Sequence, residues 1–244
     1  MDLNKIANNT LTAFAAQGIS MLLSMLQSLL VPKLLGVEQF GYWQLFIFYS
    51  TYVGFFHFGL NDGVYLLKGG ESRSVIDKGS VKSQFIILLI SQLFFSLLIT
   101  GFSFLSDVGE ERCFVITSTA VFLVVQNTTH YWMFVLQAMN ETKKSSYSTM
   151  VNRVSYLVPL LVLVAVRADS FEPFIISYVI SASLQLLYCA WFCRDILQAD
   201  FKGLPNSIIE SINSVRVGIK LMLANIASQL ILGVLRFAID APWG

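Results

Sequence analysis

The sequence predicts an all-α bundle of membrane-spanning helices. Three observations carry that expectation: 55% of the 244 residues are hydrophobic, only 13% are charged, and the apolar residues gather in runs long enough to cross a bilayer. A soluble domain carries about a quarter charged residues and a disordered chain few apolar ones, so both classes are excluded. The net charge of +1 leaves no basic surface for nucleic acid. Cys113, Cys189 and Cys193 lie in apolar surroundings and make no disulfide framework. There are two histidines and no Cys/His cluster, so no metal or other cofactor is expected.

Five runs are free of Asp, Glu, Lys and Arg: Ile6–Pro32, Gln39–Asn61, Ser83–Ser106, Cys113–Asn140 and Pro173–Cys193. Each reaches the roughly 20 residues that span about 30 Å of hydrocarbon at 1.5 Å per residue. Two more are interrupted, Ser145–Val166 by Arg153 and Val217–Ile239 by Lys220 and Arg236. A basic side chain near a helix end can reach the headgroups, so these also read as spans and the total is seven. The first run does not read as a leader peptide and is expected to stay as the first helix. It is too long, its flank (Asp2, Lys5) is neutral, and nothing after Pro32 resembles a small-residue cleavage site.

Orientation follows from the basic residues. Of 16 Lys and Arg, twelve fall on the side of Lys5, Lys68, Arg73 and Lys202, and four (Lys33, Arg112, Arg167, Arg236) on the other. The positive-inside rule places the twelve, and the N-terminus, in the cytoplasm. Tyr42-Trp43, Tyr147, Tyr188 with Trp191, and Trp243 fall near helix ends, as interfacial aromatics do. Between the sixth and seventh spans, Ile208, Ile209, Ile212 and Val215 line one face of a segment opposite Glu210, Ser211, Asn213 and Ser214. This predicts a cytoplasmic amphipathic linker. The domains expected are 1–198, a six-helix lobe; 199–215, the linker; and 216–244, a seventh helix.

Several spans carry polar stripes. Gln17, Ser20, Ser24, Gln27 and Ser28 recur at helical spacing in the first; Gln126, Asn127, Thr128, Thr129 and His130 sit mid-way along the fourth; Asn225, Ser228, Gln229 and Arg236 lie in the seventh. Polar groups in hydrocarbon need partners, so these stripes face other helices or water. Two readings stand: interhelical hydrogen bonding, at about 0.6 kcal/mol per bond, or a hydrated cavity. On the cavity reading Gln27, Asn127, Asn225 and Gln229 line it, and Arg153 and Arg236 form a cationic patch for an anionic ligand. The alternative for both arginines is reach to the headgroups, and Asp240 can pair with Arg236 one turn away.

In Gly59-Leu60-Asn61-Asp62-Gly63, Asp62 reads either as the C-cap of the second helix, with Gly63 left-handed, or as an ion-coupling carboxylate. His57 and His130 read as hydrogen-bonded packing or as a proton relay, with His57 joining Asp62 as an ion-coupling candidate. Pro159 should kink the fifth span. No catalytic constellation stands out. The outer connections are a few residues each, Glu110-Glu111 have no partner, and no Gly-rich loop is fit to cradle phosphate, so the chain is not expected to be an enzyme or an ATPase.

Leu34-Leu35-Gly36-Val37-Glu38-Gln39-Phe40-Gly41-Tyr42-Trp43-Gln44-Leu45 resembles the connection between helices one and two of bacterial polysaccharide and O-antigen flippases. So do Phe58-Gly59-Leu60-Asn61-Asp62-Gly63-Val64-Tyr65-Leu66, and Lys220-Leu221-Met222-Leu223-Ala224-Asn225 with Arg236-Phe237. These flippases belong to the multidrug/oligosaccharidyl-lipid/polysaccharide exporter superfamily. The resemblance implies two six-helix lobes around a central cavity in the bacterial inner membrane. It also implies alternating-access flipping of an undecaprenyl-pyrophosphate-linked oligosaccharide of the lipopolysaccharide type, with Arg153 and Arg236 on the pyrophosphate or acidic sugars. The partners it implies are the lipid-linked oligosaccharide, membrane lipids and other polysaccharide-assembly proteins. The family has twelve or more helices and this chain seven, so the chain is expected to be a fragment or a truncated product that does not flip lipid alone. A multidrug exporter of the same superfamily is the alternative, and would need acidic cavity residues. A membrane glycosyltransferase or other glycan-assembly protein would need a large outer loop. A seven-helix receptor would need its N-terminus outside and a lysine mid-way along its last helix.

Overall fold

The structure, a computed structural model, describes residues 3–106 and 108–240, and the side chains of 10–228 apart from 13, 16 and 107. All regular structure among the described residues is helical. In order come α1 (Leu3–Leu34), α2 (Val37–Tyr52), a 3-10 turn (Val53–His57), α3 (Leu60–Lys68), α4 (Lys78–Leu105), α5 (Glu110–Ala138), α6 (Thr142–Ala165), α7 (Glu172–Phe192), the single turn α8 (Arg194–Leu197) and α9 (Leu204–Asp240). Among the described residues four segments are long and apolar enough to cross a membrane: Thr10–Leu34 within α1, and α4, α6 and α7. The 29-residue α5 has the length but carries Glu110, Glu111 and Arg112 in its first turn and a polar centre.

Local chemistry sets the boundaries. Asp77 caps α4, its carboxylate accepting from the Ser80 N–H at 3.0 Å. Phe171 caps the start of α7, its N–H donating to Gln39 Oε1 at 3.1 Å, with Pro173 in the first turn. α5 and α6 end alike: Glu141 N–H reaches back to the Leu136 carbonyl and Ala168 N–H to that of Leu163, with Asn140 and Arg167 left-handed at the reversal.

The second expected span, Gln39–Asn61, is not one helix. α2 stops at Tyr52, the chain tightens into the 3-10 turn, and Phe58 (φ 49°) and Gly59 (φ 82°) are left-handed before α3 begins. Asp62 therefore lies in the first turn of α3, and Gly63 is helical. The C-cap reading of Asp62 is corrected accordingly: the left-handed pair comes before it. α9 is likewise one continuous helix of 37 residues in which the amphipathic segment runs straight into the seventh run. Its two faces are as distinct as the sequence suggests. Ser207, Ser211 and Ser214 are buried while Ile208, Ile209 and Ile212 are exposed, because serine lets the helix backbones come close and isoleucine suits lipid.

Two apolar cores lie at opposite ends, and α5 runs through both. One gathers Trp43, Phe46, Phe122, Leu160 and Phe174 near the α1–α2 and α6–α7 connections. The other gathers Val64, Leu88, Trp132, Leu136 and Ile196 near the α3–α4, α5–α6 and α7–α9 connections. α1 packs chiefly on α6 and leaves Met21, Leu22, Met25 and Leu29 exposed, as a helix bathed in lipid would.

Candidate functional site

A polar layer separates the two cores, built around the break after α2. A 3-10 turn lacks the regular α-helical ladder, so some carbonyls need other donors, and lipid supplies none. Asn127 of α5 donates from Nδ2 to the Val53 carbonyl at 2.9 Å and to Gln92 Oε1 at 2.7 Å. Gln92 of α4 in turn donates to the Phe56 carbonyl at 2.9 Å. Asn61 of α3 donates to the Asn127 carbonyl at 3.0 Å. Asn61, Gln92 and Asn127 are all fully buried. These three amides hold the broken segment to α4 and α5.

On the other side of the break opens a cavity of about 470 Å³. Ser50, Thr51 and the 3-10 turn form one wall, Gln126, His130 and Phe134 of α5 a second, and Met222, Asn225 and Ser228 of α9 a third, with His57 and Asp62 at the break itself. His57 Nδ1 accepts from the Gly59 N–H at 3.0 Å. In the neutral ring the proton is then on Nε2, which faces Asp62 Oδ2 at 3.7 Å. That oxygen is buried and has no hydrogen-bond partner. Gln126 Nε2 and His130 Nε2 are 2.8 Å apart.

The cavity thus brings together His57, Asp62 and Asn225 of the expected site residues, and adds Gln126 and His130. Asn127 does not line it; its amide is committed to the turn. Gln27 lies on α1, half-buried and away from the cavity. Arg153 lies on α6, also away from it, with a buried Nε that has no partner, beside Tyr178. The side chains of Gln229 and Arg236 lie outside the described residues. Among the described lining residues there is one carboxylate and no lysine or arginine.

The third wall is held by an unusually close contact. A Cβ on Gly63 would sit 1.8 Å from the Ser214 carbonyl oxygen, and one on Gly218 would sit 2.0 Å from that of Gly59. At Gly59 it would meet the Ile219 backbone nitrogen at 2.5 Å. α3 and α9 therefore pack backbone on backbone, Gly59-x-x-x-Gly63 against Ser214-x-x-x-Gly218. Sequence reasoning passed over both four-residue spacings, although each is a recognisable signal for close helix approach. Ser214 continues the seam by donating to Gln84 Oε1 at 2.6 Å.

Ion pairs fasten the end nearest α8. Arg73, in the α3–α4 connection, grips Glu141 through Nε at 2.9 Å and Nη2 at 2.6 Å, and also reaches Asp195. Lys78 joins Asp195 at 2.8 Å, and Lys202 pairs with Asp77 and Glu210. The Arg73 hydrogen bond, helped by Lys144, holds the Glu141 carboxyl below its ordinary range against the opposing effect of burial. The same bond raises the Arg73 pKa. Cys113, Cys189 and Cys193 are all free thiols.

Among the described residues the regular structure is all helical, with apolar helices of spanning length and a polar cavity between two apolar cores. A family model described as "Polysaccharide biosynthesis protein" matches residues 6–240. The chain belongs to that family. No curated protein and no solved structure matches it. Membership, together with the apolar helices of spanning length, makes the chain a membrane protein with a role in polysaccharide biosynthesis and export. The match takes in all three walls of the cavity, including α9 as far as Asp240.

Proposed function

We propose that this chain takes part in moving an undecaprenyl-pyrophosphate-linked oligosaccharide from the cytoplasmic to the outer leaflet of the bacterial inner membrane by alternating access. On this reading the chain crosses the membrane seven times from a cytoplasmic N-terminus, with α2, the 3-10 turn and α3 together making the second crossing. Residues 1–198 form a six-helix lobe, 199–215 the connection, and 216–244 a seventh helix. The observation that supports it best is the cavity at the break, lined by amides, hydroxyls and imidazoles midway between two apolar cores. Such groups suit sugar hydroxyls, and a carrier needs a polar site within the bilayer depth. Gln126 and Asn225 are assigned to the sugar. Arg236, which follows Asn225 by three helical turns, and Arg153 are assigned to the pyrophosphate. Asp62 and His57 are assigned to the coupling ion, because the Asp62 oxygen is buried and unpartnered beside the ring.

The test is thiol labelling in a chain freed of its own cysteines. Gln126→Cys and Asn225→Cys are expected to react with a membrane-impermeant reagent, and lipid-linked oligosaccharide is expected to protect both. Failure of both to react would show a dry site and remove the carrier reading. A multidrug exporter is the second reading, favoured by the Asp62 carboxylate in the cavity. It predicts protection by lipophilic cations and none by the sugar lipid.

A further inference from the structure

The 3-10 turn has two sides, and the second bears a different kind of site. Behind the polar cavity lies a half-open groove of about 260 Å³ lined by Tyr49, Tyr52, Val53, Phe56, Ile99, Ile116, Thr119 and Leu123. Its lining is almost wholly hydrocarbon and aromatic. The Thr119 hydroxyl is already satisfied by the Val115 carbonyl at 2.8 Å, so it asks nothing of an occupant. An apolar cavity of about 150 Å³ stays dry and takes up benzene, so a groove of this size and chemistry has room for a stretch of hydrocarbon chain. It lies between α2, α4 and α5 because α2 packs on α5 and scarcely on α4, while Gln92 and Asn127 tether the turn that follows α2.

Val53 lines both spaces, and the adjacent residues Phe55 and Phe56 face one each, Phe55 the polar cavity and Phe56 the groove. A polar cavity and an apolar groove that share one wall match a molecule with a polar head joined to a long apolar tail. We infer that the groove between α2, α4 and α5 holds the polyprenyl tail of the lipid-linked substrate while its glycan head occupies the cavity across the turn. The inference rests on the carrier reading above. It adds the tail site and makes the turn the fence between the two halves of the substrate.

The experiment uses the full chain in nanodiscs of phosphatidylethanolamine and phosphatidylglycerol, with a polyprenyl pyrophosphate bearing a benzophenone on its tail. Saturable photoadducts are expected on Tyr52, Ile99 and Ile116, competed by unlabelled polyprenyl pyrophosphate and not by added phosphatidylglycerol. Ile99→Trp and Ile116→Trp, which fill the groove from two different helices, should each reduce those adducts several-fold. Equal competition by phosphatidylglycerol would make the groove an ordinary lipid crevice and overturn the inference. Saturable adducts elsewhere would overturn it too, and would leave the carrier reading intact. No saturable adduct anywhere would overturn both.

Discussion

Gln126 and Asn127 are neighbours in sequence and part company in space. Asn127 is wholly buried and spends both amide hydrogens on Val53 and Gln92. Gln126 faces the cavity and touches His130, one turn along its own helix. Both are carboxamides at the same depth of the same helix. The difference lies in what each faces: a break in a neighbouring helix has carbonyls to be satisfied, whereas a gap between helices has none. Polar residues in a spanning helix therefore divide by the needs of their neighbours, and residue type alone does not assign them.

Asn127→Leu should break the comparison most severely. It leaves the Val53 carbonyl and Gln92 Oε1 without their donor, and two buried unsatisfied acceptors cost about 2–4 kcal/mol; unfolding from detergent micelles by steric trapping would read this. Gly63→Ala should come next, at about 1–3 kcal/mol, because the new methyl must push α9 off α3. The same measurement applies, and cross-linking between α3 and α9 should fall with it. The ion pairs around Arg73 predict a pH effect outside the cavity. The Glu141 carboxyl is held below its ordinary value of 4.5. Its contribution is therefore complete above that value and is lost as pH falls below it. Glu141→Gln should flatten the acid limb of a melting-temperature profile and lower neutral stability by about 1–2 kcal/mol, allowing for solvent screening. Gln126→Leu should be the mildest for stability, below about 1 kcal/mol, while reducing protection of Asn225→Cys by the sugar lipid. A stability loss as large as that of Asn127→Leu would erase the distinction between the two neighbours.

Much of the architecture was legible. The apolar runs Ser83–Ser106 and Pro173–Cys193 foretold α4 and α7 to within a few residues, because an uninterrupted run of span length has few other folds open to it. The broken second helix was not legible, since Gln39–Asn61 contains no charge and no proline to interrupt it. Its break is enforced from outside, by Gln92 and Asn127 on other helices and by a left-handed Gly59 pressed against Ile219. For the same reason Asp62 was read partly as a cap. That His57 and Asp62, singled out for ion coupling, would line the same space as Asn225 was not legible, because the break that turns them there is invisible in the sequence. Nor was the separation of Asn127 from Gln126, because it depends on which way α5 turns, and packing decides that. The two faces of the amphipathic segment in α9 were legible, but not that the serine face is the buried one, because that depends on the glycines of α3 opposite it.

Where glycine meets serine along the seam between α3 and α9, docking freezes almost no rotamers. Little apolar side chain is buried there either, so the contact carries little of the heat-capacity signature of apolar burial. An attachment of that kind should hold with nearly constant strength from cold to warm. The last helix would then keep one fixed angle to the rest of the bundle while longer side chains elsewhere loosen with temperature.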